Sequence, residues 1–292
     1  MTIGPGPSDV DPLTGGLPGG PVRFRRRRRF SPRATLIAAV STVVFFGSLV
    51  VGITNAPGWV DVQRSFLNAT FFWGSLPDVV RHFWVNIQLF VIAEVLILVF
   101  GLVLAVLRSL PGPVFFPVRL LATVFVDFFR AIPGVLVIYI LGFGIPGLGI
   151  AGIPVEPFLW AVVALTLLYS AYVSEVYRAG IESIHPSQEA AARSLGLSRG
   201  QALRYVVLPQ AVRRVIPPLL NDFIGLQKDT VLVSFIGVVD LFRTAQIKQA
   251  ATFNFTPYLA VALVFIVVTF PLARIVDWLV ARDRVRASAG AR

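Results

Sequence analysis

Apolar residues fall into six long blocks separated by polar joints, at 34–53, 83–107, 118–143, 157–177, 211–233 and 257–280. Each block is about as long as, or longer than, the roughly 20 residues a helix needs to cross a hydrocarbon layer. The pattern therefore predicts an all-α polytopic membrane protein with about six crossings. An even number of crossings leaves both termini on one side.

The joints divide the chain further. Residues 1–33 read as a disordered tail, rich in Gly and Pro up to residue 22 and then in Arg at Arg23, Arg25 to Arg29 and Arg33. A positive segment ahead of an apolar one also describes a signal peptide. Block 34–54 is long enough for a full span and has no small-residue cleavage site, so it reads as a retained helix. Residues 55–82 mix Trp59, Phe66, Phe71, Phe72 and Trp73 with polar groups, which suits an extracytoplasmic segment at the headgroup level or a docking surface for an outside partner. The core is then 83–281, with a polar loop at 182–209, and 282–292 is a basic tail. No internal repeat is present, so any twofold symmetry must come from a second subunit.

Counting Lys and Arg under six crossings puts twenty on the side of the termini and five on the other, with Arg130 inside a span. By the positive-inside rule the termini and the loop 182–209 are cytoplasmic, in a plasma membrane. Composition agrees: of 292 residues 56% are hydrophobic and 14% charged, with a mean hydropathy of +0.78, too little polar surface for a soluble globule of this size. The net charge of +11 lies beside apolar spans rather than on one soluble face, which argues against nucleic acid. No cysteine and only His82 and His185 leave no material for thiolate or histidine metal sites. Neither Lys228 nor Lys248 follows a glycine, so no phosphate loop is present. Hydrolase and metalloprotease signatures are absent too, and no catalytic residue, cofactor or metal is expected in this chain.

The polar stretch 187–210 carries its own folding instructions. Glu189 to Leu195 are strong helix formers, Gly196 can stop the helix in a left-handed turn, and Ser198 can cap a second helix. Ala191, Leu195, Leu203 and Val207 would offer apolar contacts, while Arg193, Arg199 and Arg204 stay in water or meet carboxylates. Pro209 lacks a backbone donor where the chain turns back toward the bilayer. The prediction is a basic-rimmed knob for another protein, or an amphipathic helix resting on headgroups.

Charges at membrane depth are costly, so each intramembrane group is a candidate. Glu94 stands mid-span and either lines a polar pathway or bonds to a neighbouring helix. Asp127 and Arg130 share a helix face and read as a structural pair or as a cap of the span near the cytoplasmic edge, with Pro133 and Gly134 loosening the helix after them. Glu175 lies on a stripe with Leu168, Ala171, Tyr172 and Arg178, suited either to a pore wall that accepts an amine or to a Glu175–Arg178 pair. Asn221, Asp222, Gly225, Gln227, Lys228, Asp229 and Thr230 crowd into less than three turns, as either a gating, substrate-facing segment or a solvated helix end.

Four of these segments resemble one family. The Ala-Ala pair of 190–192, then Gly196, then Val207-Leu208-Pro209 look like the EAA loop of ABC importer permeases. In the histidine, glutamine, glutamate, arginine and opine uptake group, Asp127-Phe128-Phe129-Arg130 before a proline, Ala171-Tyr172 through Glu175 to Ile181, and Lys228-Asp229-Thr230 with Ser234 and Ile236-Gly237 also have counterparts. The resemblance runs over about 85–280. One departure stands out: aligned on Gly196, the family's usual glutamate position holds Ala190, and the acid is Glu189. A helix turns about 100° per residue, so Glu189 points elsewhere.

The resemblance implies a type I ABC importer permease fold, a five-helix core plus one extra N-terminal helix, working as a dimer with an identical or sister subunit. It implies import of a polar amino acid, delivered by an extracytoplasmic solute-binding protein and powered by a cytoplasmic ABC ATPase dimer that binds the ATP and Mg. The coupling loop would then comprise Glu189, Ala190, Ala191, Ala192, Arg193, Gly196, Leu208 and Pro209. The substrate pathway would involve Glu94, Tyr172, Glu175, Asn221, Asp222, Lys228, Asp229 and Thr230. The rival reading is a self-sufficient proton-coupled transporter or channel using Glu94, Asp127 and Glu175 as a relay.

Overall fold

The structure, a computed structural model, describes residues 32–289, so the expectations for residues 1–31 and 290–292 lie outside the described residues. Two compact units divide at Trp59 and Val60. In the first, α1 (Pro32–Thr54) has no buried residue and is apolar all round, as a helix whose solvent is lipid must be.

The second unit holds the remaining helices. A short amphipathic helix α2 (Trp59–Phe66) leads into α3 (Ala69–Ser109), whose first amides are capped by the Asn68 side chain. At 41 residues α3 spans roughly 60 Å, about twice the hydrocarbon thickness. The boundary expected at residue 82 is therefore no boundary: 69–82 is the first part of this helix. Its buried stripe runs Val79, Asn86, Leu89, Ala93, Ile97, Gly101 and Leu104, while Val91, Val95 and Val99 on other faces are exposed and equally apolar. Apolar on both sides is the mark of a helix with protein on one face and lipid on the other.

The block 118–143 is not one straight span. It forms α4 (Phe116–Ala131) and α5 (Gly134–Tyr139), bent by 106° across Ile132-Pro133, followed by a π turn at Ile140–Gly144 and the single turn α6 (Ile145–Gly147). Pro133 lacks the amide the helix needs and forces Ile132 into extended backbone, φ −91° and ψ 135°.

At the centre lies α7 (Pro157–Glu182), against which α3, α4, α5 and the later helix α10 (Leu208–Asp229) pack. Small residues allow the approach. A Cβ on Gly101 would meet Val173 at 2.8 Å, and one on Gly134 would meet Leu168 at 2.7 Å. Gly180 is tighter still against Val215. Gly180→Ala should cost about 1–3 kcal/mol of stability, with most of it recovered when Val215→Ala makes room. Thermal unfolding of the two purified variants measures this, and an unshifted Gly180→Ala midpoint contradicts the packing.

After α7 come α8 (Pro186–Ser194), α9 (Arg199–Ala202), a π turn (Leu203–Val207) and α10 (Leu208–Asp229). The block expected at 211–233 thus starts earlier and changes character at Thr230, where a 3-10 segment (Thr230–Ile236) runs to Gly237 at φ +94°. A helix with no counterpart in the apolar pattern follows, α11 (Leu241–Thr252), bent by 48° from the preceding segment. The last helix, α12 (Thr256–Ala289), continues past residue 282, so the expected tail begins as helix. Among the described residues four helices can cross a membrane, or up to six if each bent pair counts as one span, and no strand forms.

Candidate functional site: a polar cleft, an ion cluster and a capped knob

Of the expected pathway residues, the fold brings four together. Tyr172, Asn221, Asp222 and Asp229 line one cleft of about 320 Å³, with Tyr169, Gly134, Gly225 and Leu232. Asp222, Gly225 and Asp229 are spaced three and four apart on α10, hence on one face. The Tyr169 hydroxyl donates to Asp229 Oδ2 at 2.7 Å. Asp222 Oδ2 is buried with no hydrogen-bond partner, a costly arrangement for a carboxylate unless a donor enters the cleft. Glu94 does not line this cleft; it is half-buried on α3 and within electrostatic reach of Asp222 and Tyr177.

The others go elsewhere. Lys228 is exposed and does not line the cleft. Thr230 is fully buried in a network that closes the 3-10 segment onto α3: Asn86 Nδ2 donates to Thr230 Oγ1 at 3.2 Å and to Asp240 Oδ2 at 3.0 Å. The same Asn86 accepts from the Leu241 amide at 3.3 Å, and Asp240 caps α11 by accepting from the Arg243 amide at 2.8 Å. Neither Asn86 nor Asp240 was expected from the sequence. An amide inside an apolar span and an aspartate just before Leu-Phe-Arg were the available signals.

Of the two readings of Glu175 the Glu175–Arg178 pair is the one that forms, and two further arginines reach the same carboxylate. Arg108 Nη1 donates to its Oε1 at 2.7 Å, Arg178 Nη2 to its Oε2 at 2.7 Å, and Arg130 Nη1 lies 3.5 Å away. The cluster joins α3, α4 and α7. This corrects the structural pair: Arg130 turns to Glu175 across the helix gap, and among the described residues no Asp127–Arg130 ion pair forms, Asp127 being exposed. The longer reach of Arg130 to a half-buried carboxylate gains more than a pairing in an exposed position.

The stretch 187–210 builds the expected turn. Helix α8 starts at Pro186, with His185 accepting from the Ser187 amide, and places Glu189 in its positive first turn. Gly196 sits at φ +88°, its amide bonded to the Arg193 carbonyl at 3.0 Å and the Leu197 amide bonded to Ala192 at 3.3 Å. These are the two bonds of a Schellman ending, which a Cβ-bearing residue forms only with strain. Ser198 and Gln201 then form a reciprocal capping box.

Inside the knob Ala192, Ala202 and Val207 are buried. Leu195, 85% exposed, and Leu203 and Tyr205 stand outward beside exposed Arg193, Arg199 and Arg204. Val207 is thus a packing residue rather than an outer contact. The second helix is also only one turn, merging through the π turn into α10, where Pro209 stands in the first turn, a place that needs no amide donor. Arg214 bonds the Ser183 carbonyl at 2.9 Å and ties the knob's two ends together.

Comparison with known proteins agrees with this architecture. The chain is 38% identical over 185 residues to the probable glutamine ABC transporter permease protein GlnM of Bacillus subtilis, covering 63% of this chain and 83% of that one. It is 35% identical over 212 residues to the glutamate transport system permease protein GluC of Corynebacterium glutamicum, covering 68% and 92%. Among solved structures, an amino acid ABC transporter crystallised with histidines superposes with a TM-score of 0.64 at 32% identity, over 70% of this chain and 94% of that one. The methionine transporter MetNI, at 18% identity and a TM-score of 0.58 over 74% and 99%, shares the fold. Residues 97–285, covering α7, the knob and the cleft, match the family described as binding-protein-dependent transport system inner membrane component, and the chain belongs to that family.

Proposed function

We propose that this chain forms the path by which a polar amino acid is imported, with the cleft between α7 and α10 as the place where the amino group is held. The observation that carries this is the pairing of Asp222 and Asp229 on one face of α10, one of them with a buried oxygen lacking a donor. An ammonium group supplies up to three donors and a compensating charge. Tyr169, already bonded to Asp229, fixes that carboxylate's orientation.

The energy enters through the knob. In this reading the face bearing Gly196 is cytoplasmic, the outward Leu195, Leu203 and Tyr205 seat in a groove of an ABC ATPase, and the arginines meet its acids. The ATPase subunits bind ATP and Mg, a second permease copy or sister completes the pathway, and an extracytoplasmic binding protein delivers the solute. Closure of the ATPase pair moves the knob, and the spans reopen toward the other side. The rival proton relay needs Glu94, Asp127 and Glu175 in sequence. Asp127 is exposed and Glu175 is engaged by arginines, which disfavours it.

The test is uptake in proteoliposomes holding the full transporter. Asp222→Asn and Asp229→Asn should each raise the half-saturating substrate concentration roughly tenfold to a hundredfold, the value of a charge-assisted bond, while basal ATP hydrolysis persists. Wild-type affinity in both variants excludes the cleft as the amine site.

A further inference from the structure

Where α3, α4 and α7 end together, a second cleft of about 330 Å³ opens, lined by Arg108, Arg119, Arg178, Thr123, Phe116 and Leu120, with Glu182 at its edge. Two of its arginines are spoken for. Arg108 is paired with Glu175, and Arg178 with Glu175 and Glu182.

Arg119 is not. One guanidinium nitrogen donates to the Leu110 carbonyl at 2.9 Å, and its carbon lies 6.0 Å from the Phe116 ring centroid. Among the described residues it has no acidic partner. It also sits in the first turn of α4, where the helix dipole is positive and a cation is disfavoured. Four further N–H donors and an uncompensated charge converge on one half-buried position. An anion with several acceptor oxygens satisfies both.

The surface beside the cleft says which anion. Phe116, Leu120, Val124 and Phe128 are all exposed and recur every fourth residue, making a continuous apolar stripe down α4 from the cleft. A free phosphate has no use for such a stripe, whereas an acyl chain lies along it. We propose that this cleft binds the phosphate headgroup of an anionic phospholipid, with Arg119 as the main donor and the α4 stripe carrying a chain. The site is separate from the amino acid cleft. It rests on the orientation proposed above only in assigning the lipid to the inner leaflet, where basic pockets between spans meet anionic headgroups.

The test needs no transport. The full-length chain, purified in uncharged detergent, is offered equal phosphatidylglycerol and phosphatidylcholine, and bound lipid is read by native mass spectrometry. Phosphatidylglycerol should be retained preferentially, and Arg119→Gln should lower its retention roughly fivefold, the scale of one arginine at a membrane surface. Arg119→Lys should keep most of it, and Arg204→Gln, which removes an exposed charge on the knob, should keep all. Thr123→Trp, which fills the cleft at constant charge, should match Arg119→Gln and decides the matter if that variant elutes as aggregate. Equal retention of both lipids, or an unchanged Arg119→Gln, overturns the proposal. Displacement of the lipid by millimolar inorganic phosphate reassigns the site to a free anion and overturns it equally.

Discussion

If the knob couples as proposed, Gly196→Val should leave the permease folded yet cut ATP-driven uptake about tenfold, the equivalent of roughly 1–2 kcal/mol of left-handed strain. Nothing beyond the neighbouring residues lies within 4 Å of where the new Cβ would go, so the cost is local backbone strain rather than a tertiary clash. Relief of that strain means loosening the two bonds from the Gly196 and Leu197 amides, which fix the angle between α8 and α9. A few kcal/mol at this joint are comparable with what a partner must supply to swing a two-state transporter, so under the proposed mechanism a misaligned knob would pass on little of the work. Coupled uptake and ATP hydrolysis in proteoliposomes containing the binding protein are the measurements. Gly196→Asn, which tolerates φ > 0, should retain more than half of wild-type transport. Full activity in the valine variant would show that the knob's geometry is irrelevant to coupling.

Glu175→Ala acts through stability instead. Its side chain is 17% exposed and that of Arg108 10%, so removing the carboxylate strands a nearly buried guanidinium and leaves Arg130 and Arg178 facing it. Breaking a buried pair from one side costs ~3–5 kcal/mol, and partial solvent access puts this site near ~3 kcal/mol. The variant should unfold at markedly lower temperature, followed by size-exclusion of heated, detergent-solubilised protein. Glu175→Gln, which keeps acceptor capacity at one oxygen, should fall between. Arg108→Gln combined with Glu175→Gln should recover part of the loss, since no charge is then stranded on α3. A Glu175→Ala protein as heat-resistant as the parent would mean that the cluster is solvated and adds nothing.

Local chemistry was readable wherever it acts between near neighbours. The left-handed turn at Gly196 and the cap at Ser198 depend on residues within a few positions of each other, and both stand as expected. The Asp127–Arg130 pairing failed for the opposite reason. Spacing on a helix says which groups can meet, but a carboxylate from another helix competed and won. Of the two readings of Glu175, the Glu175–Arg178 pair forms as spacing allows, while the Arg108 that also claims the carboxylate lies 67 positions away, beyond what spacing can show. The 106° break was half-legible: Pro133 marked a weak point, yet only packing of Gly134 against Leu168 decides how far α5 folds back.

Taken by itself, the sequence determined that this chain lives in a bilayer, where its helices fall to within some turns, and that a capped polar knob separates two of them, because hydrophobic length, glycine torsion and capping are local properties. Only the tertiary structure decided which polar groups share a cavity. Asp222 and Asp229 meet Tyr169 and Tyr172, while Thr230, next to Asp229 in the chain, is drawn into the Asn86–Asp240 network. Where water is excluded each buried donor must find an acceptor, and the nearest acceptor is set by how helices pack, not by their order along the chain.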